Sequence, residues 1–570
     1  MEEVPVSVSD MSQARAGDHA ATAIADLSVA GAGERPATGN SVDQRIPSAQ
    51  LPWTWLIAVS IILTCALSLV WSHYKLMRVD EFMEMQTDSV PSLRQVIDIQ
   101  RHFPISLDPL GYHVAAHFSM RLFGRSAFAL RLPALLGYLL MQACLGLFVS
   151  RIAGRRAAIF AIAFSAGAAT LYYSADGRPY GLLCGLCGLN LVAWQSVARQ
   201  DPHRRIGLFV LSASLALALN LHYYAILLLG PLVIAELARS MERRRLDLGV
   251  IASIFAGTLG IGLVIPFAKA ASEFKAHYYD LSRVGHQAVV NAYRVLLLDE
   301  TTFSTRAQHL YTIFGLALSA LLIWTCVRIL RNPPPSLPRH EMLFAMGLAA
   351  LPVFGFLLAR LVTHTLEPRF VIEAIVGVSA LTAIGLDAAL GKKPSSKSVV
   401  FLMACVLVLP NVLVVYQVAQ KNRISLASPG YSIPASVEAE VMASPSQLLY
   451  TPDVALFDQV TAYDPDPWMR SHMALVYSGN RELRFDHHDT SMLTERHLQQ
   501  FTDYKIFDFD SFSGQPGEHV FLCDSSDWVW IHAALTEPYT TSQQVGPLTP
   551  KYEFLSVHFD APVTGSKPSK

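Results

Sequence analysis

The sequence predicts an α-helical polytopic membrane protein of about eleven spans, followed by a small C-terminal α/β domain. Three observations predict it. Of 570 residues, 52% are hydrophobic and only 16% charged, where a soluble chain would carry roughly a quarter charged residues. Apolar runs of bilayer-crossing length recur from residue 53 to residue 418. Past residue 420 Pro, Asp, Tyr and Trp become common, and between 419 and 570 there are 19 Asp/Glu against 10 Lys/Arg. The mean hydropathy of +0.34 points the same way. A formal net charge of −1 gives no global field to recruit nucleic acid or anionic lipid, so partners must be read from local charge.

Residues 1–50 are Ala/Ser/Gly-rich with almost no aromatics, and are expected to form a disordered cytoplasmic tail. The first apolar run begins near Trp53, too late and too long for a signal sequence, and is expected to remain as the first span. Spans follow near 126–149, 156–173, 179–198, 206–221, 223–238, 247–268, 309–328, 342–362, 370–390 and 398–418. The region 206–238 is divided at His222-Tyr223. Between the first two spans lies a polar loop, 74–125, in which 91–102 and 109–123 have the spacing of amphipathic helices. A second long loop covers 269–308.

Loop charge assigns the sides. Arg151/Arg155/Arg156, Arg199/Arg204/Arg205, Arg239 to Arg245, Arg328/Arg331/Arg339 and Lys392/Lys393/Lys397 fall in one alternate set of loops. The positive-inside rule makes that set cytoplasmic. The loops holding Asp80-Glu81, Tyr172 to Tyr180, His222-Tyr223, 269–308 and Thr363 to Arg369 then share the outer face with the domain 421–570. In that domain 519–523 and 528–533 alternate as strands do.

Asp80-Glu81 is the focal pair. Two adjacent carboxylates at the exit of a membrane helix are costly unless they face water or a site, and both readings are open. Asp108 adds a third outer carboxylate, with Tyr112 close behind it. The short loop Tyr172 to Tyr180 holds Asp176 and Arg178, either as a phosphate grip or as a local turn-stabilising pair. His222-Tyr223 and Glu367-Pro368-Arg369 pose the same choice, with Glu373 one turn beyond Arg369 as its candidate partner. Arg131 either reaches the same headgroup or snorkels to the interface. Cys184 and Cys187 form a CxxC inside an apolar stretch and read as small buried hydrophobes. Asp486-His487-His488-Asp489 and His497 lack a convincing metal-ligand spacing.

The ordered set of motifs resembles a known family. It comprises Asp80-Glu81 after the first span, Pro109-Leu110-x-Tyr112, Leu122-Phe123-Gly124 and Ala129-Leu130-Arg131-Leu132-Pro133. Tyr172-Tyr173, Arg178-Pro179-Tyr180, His222-Tyr223-Tyr224 and Arg369-Phe370 complete it. Over roughly residues 53–420 this resembles the GT-C superfamily of polytopic glycosyltransferases, in particular the bacterial proteins related to protein O-mannosyltransferases and aminoarabinose transferases. Asp176-Gly177, Asp108-Pro109 and Arg369-Phe370 depart from the usual pattern. The resemblance implies sugar transfer at the periplasmic face of a bacterial inner membrane, from a polyprenyl-phosphate-linked donor to a lipid, glycan or protein acceptor, with inversion. It implies Asp80 as base, with Glu81 orienting either Asp80 or the acceptor. Asp108, Tyr112, Arg131, Asp176, Arg178, Tyr180, His222, Tyr223 and Arg369 then line the substrate site. No cofactor is required by the sequence, and a divalent cation is left as an option.

Two other classes compete. A lipid or glycan transporter or flippase would place its ionisable residues near mid-membrane on broken helices, whereas here they cluster at one face. A transferase-like protein without activity would have no need of Asp80, Arg178 and Arg369 together.

Overall fold

A computed structural model describes residues 53–166, 170–274, 284–298, 308–331 and 337–390, and also 448–560 with breaks at 465, 486, 488, 513–515, 525–526, 537–539 and 548–551. The expected tail 1–50 and the expected span 398–418 lie outside the described residues.

The helical body opens with α1 (Trp53–Tyr74), then three helices of the first loop: α2 (Val79–Asp88), α3 (Leu93–His102) and α4 (Leu110–Phe123). The long α5 (Ala127–Ala153) follows, started by Ser126, whose hydroxyl accepts from Ala129 N, and stopped by Gly154 at φ 89°, a left-handed conformation open to glycine. Next come α6 (Arg155–Ala166), α7 (Thr170–Ser174), α8 (Tyr180–Ala198) and α9 (Arg204–Leu221). His222 is extended, and a 3-10 turn at Tyr223–Leu228 leads into α10 (Leu229–Arg243), so the break expected in 206–238 falls at His222. After α11 (Leu248–Thr258) and α12 (Ile261–Ala271) come α13 (Gln287–Leu298) and α14 (Gln308–Arg331). A bent pair, α15 (Arg339–Ala349) and α16 (Leu351–Leu358), precedes α17 (Ala374–Leu390).

Among the described residues five helical segments are long and apolar enough to cross a membrane, or six if the bent pair is one span. The expected span 156–173 contains α6 and α7, and 53–73, 309–328 and 370–390 coincide with α1, α14 and α17. Leu248, Phe255, Leu259 and Leu263 on α11–α12 are exposed, the pattern of a helix whose outer face meets lipid tails rather than water. The chain is a multi-pass membrane protein.

Helices α5 and α8 approach closely through small residues. A Cβ at Gly185 would lie 2.4 Å from the Gly137 carbonyl oxygen, and one at Gly181 2.4 Å from that of Ala134. Cys184 and Cys187 sit in this seam as buried free thiols. The loops gather in two groups. Arg199 meets Glu341 at 2.6 Å, His340 meets Glu242 at 2.7 Å, Arg151 meets Asp201 at 3.6 Å, and Arg156 pairs with Asp387. The loops carrying Asp80, Asp176, His222 and Arg369 gather separately, around the candidate site.

The C-terminal part is a six-stranded sheet of order β3-β2-β1-β4-β6-β5. Strands β1 (Leu449–Thr451), β2 (Met473–Tyr477), β3 (Ile506–Asp508) and β4 (Gly517–Asp524) are mutually parallel, while β5 (Thr540–Pro547) and β6 (Tyr552–Phe559) add an antiparallel edge. Helix α18 (Val454–Tyr463) follows β1 and is capped by Asp453, whose carboxylate accepts from Ala455 N and Leu456 N. The alternating run 528–533 is helix, α19 (Trp528–Thr536), not strand. Its buried residues Val529, Trp530, Ala533 and Ala534 fall on one helical face, and that face packs on the sheet core with Phe509, Phe521 and Phe559.

Sheet and helical body meet over the first loop. Ile105 is buried among Leu449, Met473, Leu475 and Leu498, with Val79 and Met83 of α2 packed alongside. Tyr463 Oη accepts from Met77 N at 3.0 Å, and His497 Nδ1 donates to the Pro104 carbonyl at 2.8 Å. Gln86 bonds Tyr504. His497 is therefore a docking residue; Asp486 and His488 of its candidate cluster lie outside the described residues.

Candidate active site

The site is built on the start of α2. Arg78 is the N-cap, and Glu81 at the third helical position accepts from Arg78 N at 3.2 Å. Asp80 and Glu81 thus occupy the first turn, where the helix dipole favours carboxylates. Successive residues of a helix point about 100° apart, so the two adjacent acids have different fates.

Glu81 turns inward and is 0% exposed. Arg131 grips it with Nε to Oε1 at 2.7 Å and Nη2 to Oε2 at 3.0 Å. Lys75 stands 3.1 Å away, and Gly177 N donates to Oε1 at 2.8 Å. Burial raises its pKa, but Lys75, Arg131 and the Gly177 amide outweigh burial and hold Glu81 at about 2. This carboxylate has its lone pairs filled. Arg131 is equally occupied, its Nη1 donating to the Ser72 and Lys75 carbonyls at 2.6 and 3.0 Å. Glu81 and Arg131 thus tie α2 to α5, and neither faces solvent.

Asp80 remains reachable. Its side chain is 32% exposed and pairs with Arg369 Nη1 at 3.1 Å, joining the first loop to the segment that precedes α17. Burial raises its pKa, and Arg178, Arg369 and Arg78 together bring it below the ordinary value, so Asp80 is ionised at neutral pH. Arg369 is 29% exposed and its Nε has no hydrogen-bond partner. Its expected neighbour Glu373 is buried and is not its partner; Arg369 reaches across to Asp80 instead.

The loop 175–179 is also rearranged relative to expectation. Asp176 and Arg178 do not pair with each other through their side chains. Asp176 pairs with Lys75, while Arg178 lies between Glu84 at 2.9 Å and Asp108 at 2.7 Å. Arg178 is buried, and Ser106 Oγ accepts from it at 3.3 Å. Burial, outweighing Arg178, lifts Asp108 to about 6. His222 Nδ1 accepts from Tyr224 N at 3.3 Å, so its proton sits on Nε2, 3.9 Å from Asp108 Oδ1. Burial first, then Arg178 and Arg369, hold His222 near 3, neutral.

Aromatic rings wall the cluster. Tyr180 lies edge-on to Tyr173 at 5.1 Å and beside His222 at 5.7 Å, and Phe370 stands 5.2 Å from His222 and 5.0 Å from Tyr224. Tyr223 is half-buried at the start of the 3-10 turn. Tyr112 is elsewhere in role: fully buried, its hydroxyl donates to the Leu130 carbonyl at 2.8 Å, pinning α4 to α5.

Four buried residues escaped the sequence reading: Lys75, Glu84, Asp88 and His113. The signal for two of them was there, because Glu81, Glu84 and Asp88 are spaced three and four apart and so share one helix face.

Residues 108–269 match the family model described as dolichyl-phosphate-mannose-protein mannosyltransferase. Over that segment, well under half of the chain, the protein is similar to this family of membrane glycosyltransferases. Among solved structures, ArnT from Cupriavidus metallidurans in the apo state is similar at TM-score 0.53 and 16% identity, over 88% of this chain and 97% of its own. The same protein bound to undecaprenyl phosphate is similar at TM-score 0.52 and 15% identity, with the same coverage. An Archaeoglobus fulgidus oligosaccharyltransferase in the apo form has a TM-score of 0.47 and 10% identity over 84% of this chain and 70% of its own. At such identities the likeness is one of fold. No curated protein matches the sequence.

Proposed function

We propose that the protein moves a sugar from a polyprenyl-phosphate-linked donor to an acceptor hydroxyl, at the membrane face that carries Asp80, Arg369 and the C-terminal sheet. The observation that carries this reading is the Asp80–Arg369 pair: an ionised carboxylate and a guanidinium, both partly exposed, beside a cluster whose other acids are buried. A hydroxyl is a weak nucleophile and needs a positioned base; a departing phosphate needs a cation at its oxygens. The undecaprenyl phosphate bound by the Cupriavidus protein supports a donor of that lipid class.

In this reading the acceptor oxygen attacks the anomeric carbon while the carbon–oxygen bond to phosphate breaks. The phosphate leaves with the bonding electrons and is received by Arg369, and the hydroxyl proton passes to Asp80. A single displacement inverts the anomeric centre. Donor arrival also prepares the base. A phosphate that engages Arg369 weakens the pairing that depresses Asp80, so its pKa climbs toward the ordinary carboxylate value and proton transfer becomes easier. Arg178 sits behind, positioning Asp108 and, through it, His222. The basic loops gathered away from this site support a periplasmic reading of its face under the positive-inside rule.

The test uses purified protein in nanodiscs with labelled polyprenyl-phosphate sugars. Asp80→Asn is expected to keep donor binding and to lose turnover by roughly 10²- to 10⁴-fold. Wild-type protein that binds no polyprenyl-phosphate sugar across a broad panel would overturn the donor class.

A further inference from the structure

Glu84, Asp88 and His113 form a buried cluster behind the candidate active site, and each can offer one ligand atom such that all lie within 4.8 Å of one another. All three are 0% exposed. His113 Nδ1 is 2.9 Å from Glu84 Oε2 and 2.8 Å from Asp88 Oδ1. One ring nitrogen therefore faces two carboxylates, and its single proton cannot satisfy both at full strength. One buried oxygen beside them, Asp88 Oδ2, has no hydrogen-bond partner, which is costly unless something else engages it.

The surroundings are those of oriented ligands. Glu84 Oε1 accepts from Ser106 Oγ at 2.7 Å and from Arg178 Nη1 at 2.9 Å, which turns Oε2 toward His113. His113 Nε2 is 2.8 Å from the Gln100 side-chain amide. The amide oxygen and nitrogen are interchangeable by a flip, so Gln100 can equally accept from an Nε2–H and leave Nδ1 free to coordinate. Metal-binding histidines are commonly held in this way. Three carboxylates gather here: Glu84 and Asp108 flank the Arg178 guanidinium, and Glu84 and Asp88 flank His113. Bonds of about 2.1 Å at tetrahedral angles place ligand atoms roughly 3.4 Å apart, so each His113–carboxylate separation needs to open by only about half an ångström.

We infer that Glu84, Asp88 and His113 hold a divalent transition-metal ion of the zinc type, with the second oxygen of Asp88 or a water as fourth ligand. The donors are one nitrogen and carboxylate oxygens, with no thiolate, a set that suits zinc or manganese. Such an ion fastens α2 to α4 and, through Glu84, to the Arg178 loop. It is a structural site, separate from Asp80 and Arg369, and it stands whether or not sugar transfer does. Its complete burial implies slow exchange, so it is taken up during folding.

Metal content tests this without any activity assay. The full-length protein would be produced in medium supplemented with zinc and manganese, or depleted by chelator, purified in detergent, and analysed by plasma mass spectrometry. Replete wild type is expected to carry about one equivalent of metal per chain, and Asp88→Asn and His113→Gln under about a tenth. Depletion should lower the melting midpoint of wild type and leave that of Asp88→Asn unchanged. X-ray absorption on the replete wild type should show one imidazole, oxygen neighbours and no sulfur, a readout that needs no folded variant. Folded, replete wild type with under about a tenth of an equivalent would overturn the proposal. So would variants that retain the metal, or a coordination shell with sulfur or a second imidazole.

Discussion

Arg131 reaches from α5 to Glu81 on α2 and holds it with two parallel hydrogen bonds of 2.7 and 3.0 Å, inside a pocket closed to solvent. Removing one partner leaves the other charge buried, which typically costs about 3–5 kcal/mol. Glu81→Gln should therefore unfold far below the wild-type melting midpoint in detergent. Asp80→Asn, altering a partly exposed pair worth under about 1 kcal/mol, should melt as wild type does. If the two variants melt alike, the assignment of Glu81 to structure fails.

Competition between phosphate and Asp80 for Arg369 makes a second prediction. Arg369→Gln removes charge-assisted hydrogen bonds worth about 1.5–3 kcal/mol, so polyprenyl phosphate should bind about 10- to 100-fold more weakly. Asp80→Asn frees the same guanidinium and should bind at least as tightly as wild type. Calorimetry in nanodiscs measures both, and weaker binding by Asp80→Asn would show that no such competition exists.

The α5–α8 seam tolerates little. A Cβ at Gly137 would come within 2.2 Å of Leu182 Cα, a backbone atom that cannot swing aside. Gly137→Ala should cost about 1–3 kcal/mol by forcing the helices apart, read as a lowered melting midpoint. Gly262→Ala, at a position with open space around its Cα, is the control and should leave the midpoint in place.

Asp458 on α18 supplies a pH dependence. Burial pushes it up to about 8, although Tyr504 Oη donates to its Oδ1 at 3.2 Å. An unfolded aspartate ionises near 3.9. Between about pH 4 and pH 8 the folded chain thus holds a proton that the unfolded chain has lost, and stability falls as pH rises through that window. Asp458→Asn should remove this slope and raise the melting midpoint at pH 8.5 by a few degrees, roughly what 1 kcal/mol gives. An unchanged slope in thermal scans from pH 4.5 to 8.5 would count against it.

The large features were legible because they rest on chain-local physics. The first-loop helices show in their spacing, and the break between α9 and α10 falls at the expected His222. Side-chain partnership was not legible. Asp176 and Arg178 are two residues apart and suggest a local pair, yet Lys75 and Asp108 claim them from distant segments. Glu373 lies one turn from Arg369, but Asp80, 289 residues away, is the partner. Neighbours in sequence are visible in a string of letters; competition between buried charges is decided by which helices pack. The strand pattern of 528–533 misled for a related reason, since a run of aromatic and β-branched residues suits either element until the sheet beneath it sets the face.

The contact of Tyr463 with Met77 spans 386 residues of chain. At about 5–20 residues per second, roughly 20–80 s of synthesis separate the first loop from the strands and helices that cover it. Ile105, Val79 and Met83 stay uncovered during that interval. The loop bearing Asp80 can acquire its final packing only after the sheet residues Leu449 to Phe554 have been made.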